Sequence, residues 1–237
     1  MKAAVYMGTR NLYPRMIPAI KSLLYYSDVD KIYLMIEDDT FPYKVPEQVE
    51  VINVSNQKFF RKDGPNMNCY WTYFVLMRAT LPHYFPDLDR ILSLDVDTIC
   101  TGNISDIWNL PIDDYYFAAC SEYEKTADMG LLYTNMGVAL YNLKKLRDGK
   151  ADEIIKELNT HKHAFPEQDC FNFMCEGYVY EMPLKYNVAS CMMHPPDTIF
   201  VKKPCIVHYP GIPDWTSYHP YKRFERMKWN QIKRDQD

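Results

Sequence analysis

No run of 18 apolar residues occurs in this chain, so nothing in the sequence is built to span a bilayer. The opening MKAAVYMGTRNLYPR is interrupted early by Arg10 and Arg15 and does not read as a secretory leader. There is no CxxC pair and no zinc-ligand spacing, and the seven cysteines, an odd number, sit largely in apolar runs. Free buried thiols in a reducing cytosol are the reading that fits. An excess of positive charge is also missing. With 27 Lys and Arg against 31 Asp and Glu, the net charge of −4 speaks against nucleic acid as a partner. Glycine is scarce, with 8 residues, and no repeat or low-complexity segment is visible, which excludes collagen-like and disordered chains.

What is present is a composition that can bury a core. The 237 residues suit one domain, and the 20 tyrosines either line a pocket or fill that core. The hydrophobic pattern predicts strands at residues 2–7, 31–37, 49–54 and 90–94, with helices at 14–26 and 68–82, the second ending before Pro82. Further on it predicts strands at 117–120, 137–143 and 204–209 and helices at 151–161 and 168–177. This order defines an α/β chain with crossover connections.

The strand ending at Leu94 runs straight into Asp95-Val96-Asp97. Open α/β sheets gather ligands beyond the carboxyl ends of their strands. Two carboxylates this close repel each other when buried unless a cation joins them, and hard divalent ions such as Mn²⁺ or Mg²⁺ take oxygen ligands of this kind. A solvated strand-to-loop turn is the plain alternative. His208 closes another apolar strand, with Gly211 three residues on, and adds an imidazole suited to Mn²⁺. Thr134-Asn135-Met136-Gly137-Val138 and Pro166-Glu167-Gln168-Asp169 place polar side chains before a strand and at a helix start.

Taken in order, these segments resemble glycosyltransferase family 8, retaining sugar transferases with the GT-A fold. The resemblance spans about residues 3–215. It rests on NLYPRMIPAIKSLL, on YFVLMRATLPHYFPDLDRILSLDVDTICTGNISDIW, and on NMGVALYNL, PEQDCFN, LKYNV and VHYPG. It implies a Rossmann-like mixed central sheet with helices on both faces. It implies Mn²⁺, or Mg²⁺, on Asp95, Asp97 and His208, and a nucleotide-sugar donor, with UDP the expected nucleotide. Met7, Thr9 and Asn11 then hold the nucleoside, and Arg78, Asp95, Val96, Asn135, Gly137 and Gly211 lie against the donor. Gln168, Asp169 and Glu122 fall near the reacting sugar. The expected reaction moves glucose or galactose to a glycan, lipid-linked or protein acceptor.

The chain departs from the pattern in two places. Thr9 and Arg10 stand where the family usually carries acids. Asp214 stands where the family has a lysine on the diphosphate, so another cation is needed, and Lys202, Lys203 and Lys222 are near in sequence. Two other readings compete. LSLDVDTI is similar to the start of haloacid-dehalogenase-type phosphatases, although the only later Asp-Asp pair, Asp113-Asp114, follows too soon. A sugar-nucleotide-binding protein without turnover is the other. Residues 1–216 form the expected catalytic domain of a cytoplasmic protein. Residues 217–237 interleave Lys222, Arg223, Arg226, Lys228, Lys233 and Arg234 with Tyr221, Phe224 and Trp229. They form either a contact with the inner membrane surface or a helix whose aromatics face the core.

Overall fold

The computed structural model describes residues 1–189 and 201–232. Lys233 and Arg234, named above, and Cys191, one of the seven cysteines, lie outside the described residues. Seven strands form the central sheet in the order β3-β2-β1-β4-β7-β6-β8. Strands β1 (Ala3–Met7), β2 (Lys31–Ile36), β3 (Val49–Asn53) and β4 (Arg90–Leu94) run parallel. Strand β7 (Thr134–Asn142) is antiparallel to β4 and to β6 (Phe117–Ser121), and β8 (Val179–Glu181) pairs parallel with β6. A smaller sheet of β5 (Thr98–Cys100), β10 (Ile206–His208) and β9 (Val188–Ala189), in that spatial order, lies beside it.

The sheet is mixed and covered on both faces. Along β1 the side chains alternate, Ala4 and Tyr6 entering one core and Ala3 and Val5 the other. The first core takes α1 (Tyr13–Tyr26) and α7 (His219–Arg226). The second takes the 3₁₀ turn at Tyr73–Thr80 with α2 (Leu81–Tyr84), α4 (Leu143–Leu146), α5 (Lys150–Thr160) and α6 (Pro166–Met174). One further helix, α3 (Tyr123–Met129), ends at Gly130 in the left-handed region and buries none of its residues.

Most predicted elements appear, with shifted ends. The clear departure is the helix expected over 68–82. It begins only at Tyr73, after Thr72 at φ 69°, and runs as a 3₁₀ helix to Thr80. Pro82 does not end it but sits in the first turn of α2. The cause is local. A proline at 82 has no N–H to give the Arg78 carbonyl four residues back, so that carbonyl accepts from Leu81 instead, the i+3 bond of a 3₁₀ helix. Strand β7 begins three residues earlier than predicted, carrying Asn135 and Gly137 within the sheet. The helix expected at 168–177 starts at Pro166 and stops at Met174.

Among the described residues six cysteines are free. Burial pushes the thiols of Cys100 and Cys175 up to about 12, which keeps them protonated and unreactive at neutral pH. No helix among the described residues is long and apolar enough to cross a membrane. The aromatics of α7 turn inward: Tyr221 and Phe224 are buried, and Phe224 meets the rings of Tyr25 and Tyr26 on α1.

Candidate active site

Two short segments meet where β4 ends. The chain turns at 95–97 and returns as β5, whose Thr98 pairs with His208 of β10. The Tyr209 N–H donates to the Asp97 carbonyl at 3.0 Å, and the Asp95 N–H donates to the Gly137 carbonyl at 2.7 Å. This register brings together residues more than a hundred positions apart. His208 Nε2 lies 3.4 Å from Asp97 Oδ1 and 3.6 Å from Asp95 Oδ2. One ligand atom from each of the three lies within 4.8 Å of the others.

The electrostatics of the cluster suit a cation. His208 is buried, which would lower its pKa, but the carboxylates of Asp97 and Asp95 outweigh burial and hold it above the usual value. Burial would raise Asp97, yet the imidazole beside it holds that carboxyl below the usual range. Positive charge at this point thus compensates the acid pair. Two carboxylate oxygens and one imidazole nitrogen are also a donor set that Mn²⁺ accepts.

A second set of contacts fixes these ligands. Asn187 Oδ1 accepts from His208 Nδ1 at 3.0 Å, which leaves Nε2 facing the acids. Asn187 Nδ2 donates to Asn135 Oδ1 at 2.9 Å, and Asn135 Nδ2 donates to Glu122 Oε1 at 2.8 Å. Gln168 Nε2 reaches the same Glu122 oxygen at 3.1 Å, while Lys125 pairs with Oε2 at 3.2 Å. On the other side Arg78 is buried and gives one guanidinium arm to Asp95 and the other to Glu167. Burial works against its charge, but the two acids more than offset that and raise its pKa. Burial also pushes Glu167 up to about 7, only partly opposed by Arg78.

These groups line a cleft with two joined lobes, of about 210 and 550 Å³. Met7, Val96, Arg78 and Ser93 face the smaller one. Glu122, Asn135, Gly137, Gln168, His208 and Gly211 face the larger. Asp95 and Asp97 border both.

Three expected residues stand apart. Thr9 and Asn11 bond to each other at the exposed first loop and line neither lobe. Asp169 lines neither lobe, because Oδ2 accepts from the Phe165 N–H at 2.8 Å and Oδ1 from the Tyr133 hydroxyl. The phosphate cations suggested by nearness in sequence also fall outside: Lys202, Lys203 and Lys222 line neither lobe, and Lys222 pairs with Glu225 at 2.8 Å. Sequence reasoning passed over Asn187, whose signal was a polar residue between Tyr186 and the apolar Val188.

A mixed sheet with a metal-spaced acid pair at a strand end is the GT-A glycosyltransferase architecture. Residues 18–216 match the model for Glycosyl transferase family 8, and the chain belongs to that family. A putative glycosyltransferase of Haemophilus influenzae is 27% identical over 159 residues, 60% of this chain and 48% of that protein. The lipopolysaccharide 1,2-glucosyltransferase of Escherichia coli strain K12 is 32% identical over 115 residues, 42% of this chain and 33% of that protein. The chain thus spans half or less of the length of these two relatives. A galactosyltransferase solved with donor and acceptor sugar analogues superposes with TM-score 0.67 at 18% identity, covering 94% of this chain and 93% of that one. The glycosyltransferase GlyE of Streptococcus pneumoniae TIGR4 gives 0.72 at 20% identity, covering 98% of this chain and 62% of that one. Both likenesses concern the fold.

Proposed function

We propose that this chain transfers a hexose, glucose or galactose, from a UDP-sugar to a glycan, lipid-linked or protein acceptor, with retention of configuration. The observation that carries the reading is the meeting of Asp95, Asp97 and His208 at the floor of the cleft. These three would hold Mn²⁺, or Mg²⁺, which when bound stabilises negative charge on a departing diphosphate as a Lewis acid.

The chain's own side chains account for the rest. Arg78 fixes the Asp95 carboxylate so that its second oxygen faces His208. Asn187 orients the imidazole. Glu122, Asn135 and Gln168 form a hydrogen-bonded wall along the larger lobe, where the donor sugar lies in this reading. That wall offers no free nucleophile. Glu122 Oε1 already accepts from two amides and Oε2 pairs with Lys125, Asp169 is turned away with both oxygens occupied, and Gln168 is a neutral amide. A double displacement needs a strong nucleophile beneath the sugar. Attack from the same face as the leaving group needs none. The bond from the anomeric carbon to the diphosphate breaks, the acceptor oxygen bonds to that carbon, and the acceptor proton passes to the departing phosphate oxygen.

The test is a thermal-shift screen with UDP, UDP-glucose, UDP-galactose and GDP-sugars, each with Mn²⁺ and with EDTA. One donor should raise the melting temperature only in the presence of Mn²⁺. Asp97→Ala should lose that shift, and transfer with it, while melting cooperatively. Full activity in the folded variant, or no shift with any nucleotide, overturns the reading.

A further inference from the structure

The cleft carries four carboxylates, Asp95, Asp97, Glu122 and Glu167, and a leaving diphosphate adds more negative charge. Apart from His208, its only cationic side chains among the described lining residues are Arg78 and Arg15. Arg78 is committed to Asp95 and Glu167. Arg15 differs. It is half-buried, borders both lobes alongside Asp95 and Asp97, and has no ion-pair partner among the described residues. Its guanidinium lies 5.9 Å from the centre of the Trp215 ring, a contact that steadies a cation without neutralising it.

Its position is costly for the helix that carries it. Arg15 sits in the first turn of α1, where the helix field disfavours a cation, and that turn has no acidic residue to compensate. A charge kept against local preference and left without a partner at the junction of two lobes has a use there.

We infer that Arg15 is the cation that grips the diphosphate of the donor and of the departing nucleotide, in place of the lysine that the chain lacks at Asp214. This inference rests on the nucleotide-sugar reading above. The guanidinium fork suits two phosphate oxygens at once, whereas a lysine offers one point charge. The selection it makes is for a diphosphate over a nucleoside.

The test titrates wild type, Arg15→Ala and Arg15→Lys calorimetrically with UDP and with uridine, all with Mn²⁺. Arg15→Ala should weaken UDP by roughly tenfold or more, the worth of a charged hydrogen bond. Uridine affinity should not change, and Arg15→Lys should fall between. A Lys202→Ala, Lys203→Ala double variant should bind UDP as the wild type does. If Arg15 merely props Trp215, Arg15→Ala will lower the melting temperature while UDP and uridine affinities stay together, and the inference fails. The inference fails equally if UDP affinity is unchanged in Arg15→Ala, or, should Arg15→Ala not fold, if Arg15→Lys binds UDP as tightly as the wild type does. A wild type that binds no UDP at all overturns the donor reading itself, and this inference with it.

Discussion

At the scale of single residues, the smallest side chain in the site sets its geometry. A Cβ added to Gly137 would sit 2.2 Å from Cε1 of His208, far inside contact distance. The missing side chain at Gly137 therefore leaves the space that the imidazole occupies beside β7. Gly137→Ala should displace His208 and lower Mn²⁺ affinity at least as much as losing an outer-shell partner does, on the order of 10- to 100-fold. Mn²⁺ titration of the folded variant checks it, and unchanged affinity would show that the ring has another resting place. Asn187→Ala leaves the ring room but removes the acceptor for Nδ1. The same titration should show a loss of similar size, with stability changed by only about 1 kcal/mol. Glu167 yields a pH dependence. Its carboxyl is raised from 4.5 in the unfolded chain to about 7 in the fold. Its contribution is therefore fully present below about 4.5 and is lost as pH rises through about 7, by up to about 3 kcal/mol. Glu167→Gln should flatten the decline in stability between pH 5 and pH 7.5 in denaturant titrations.

At the scale of elements, what the sequence made legible were strands of strong apolar character and the acids at their ends. Arg90–Leu94 could be read because the apolar Ile91, Leu92 and Leu94 precede a sharp change, and Asp95 and Asp97 because that change falls at a strand's carboxyl end. Strands β5 and β9 were not legible, at three and two residues, since each is defined by its partner β10 rather than by its own pattern. The same holds for Asn187, whose role depends on a histidine 21 residues away, and for Arg15, which reads as a surface residue of α1 until the cleft forms. The 3₁₀ turn before Pro82 shows a signal misread: proline marked a change of helix type, not an end. One element contact supports a direct test. Lys21 of α1 is buried, its pKa is lowered by that burial, and Nζ donates to the Met227 carbonyl at 2.6 Å, tying the chain after α7 to α1. Lys21→Met removes the tie. It should cost about 1 to 3 kcal/mol and speed tryptic cleavage after Arg226, which limited proteolysis would reveal.

At the scale of the whole molecule, the question is whether the last described residues are an appendage or part of the core. Their sequence suggested either a surface that meets anionic lipid or a helix whose aromatics face the core, and the aromatics of α7 do face the core. Lys222 pairs with Glu225, and the Arg223 guanidinium lies over the Tyr25 ring at 5.0 Å and donates to the Tyr26 hydroxyl at 2.9 Å. Tyr221 meets Trp215 edge-on at 4.9 Å, and Phe224 is 1% exposed, within the same apolar core as Ile20, Leu23 and Leu24 of α1. Helix α1 also carries Arg15, and Trp215 borders both lobes of the cleft. The packing of α7 therefore reaches the site through α1 and Trp215. Phe224→Ala should cost about 3 to 5 kcal/mol, as for other buried aromatics, whereas Arg226→Glu, at an exposed position, should leave stability within about 0.5 kcal/mol. A chain ended after residue 216 should melt lower and bind UDP more weakly than the full chain, because α1 would lose its cover and Trp215 its neighbour. Equal melting and equal UDP affinity in the shortened chain would show instead that α7 is dispensable to the core, and that its cations are free for a surface outside the protein.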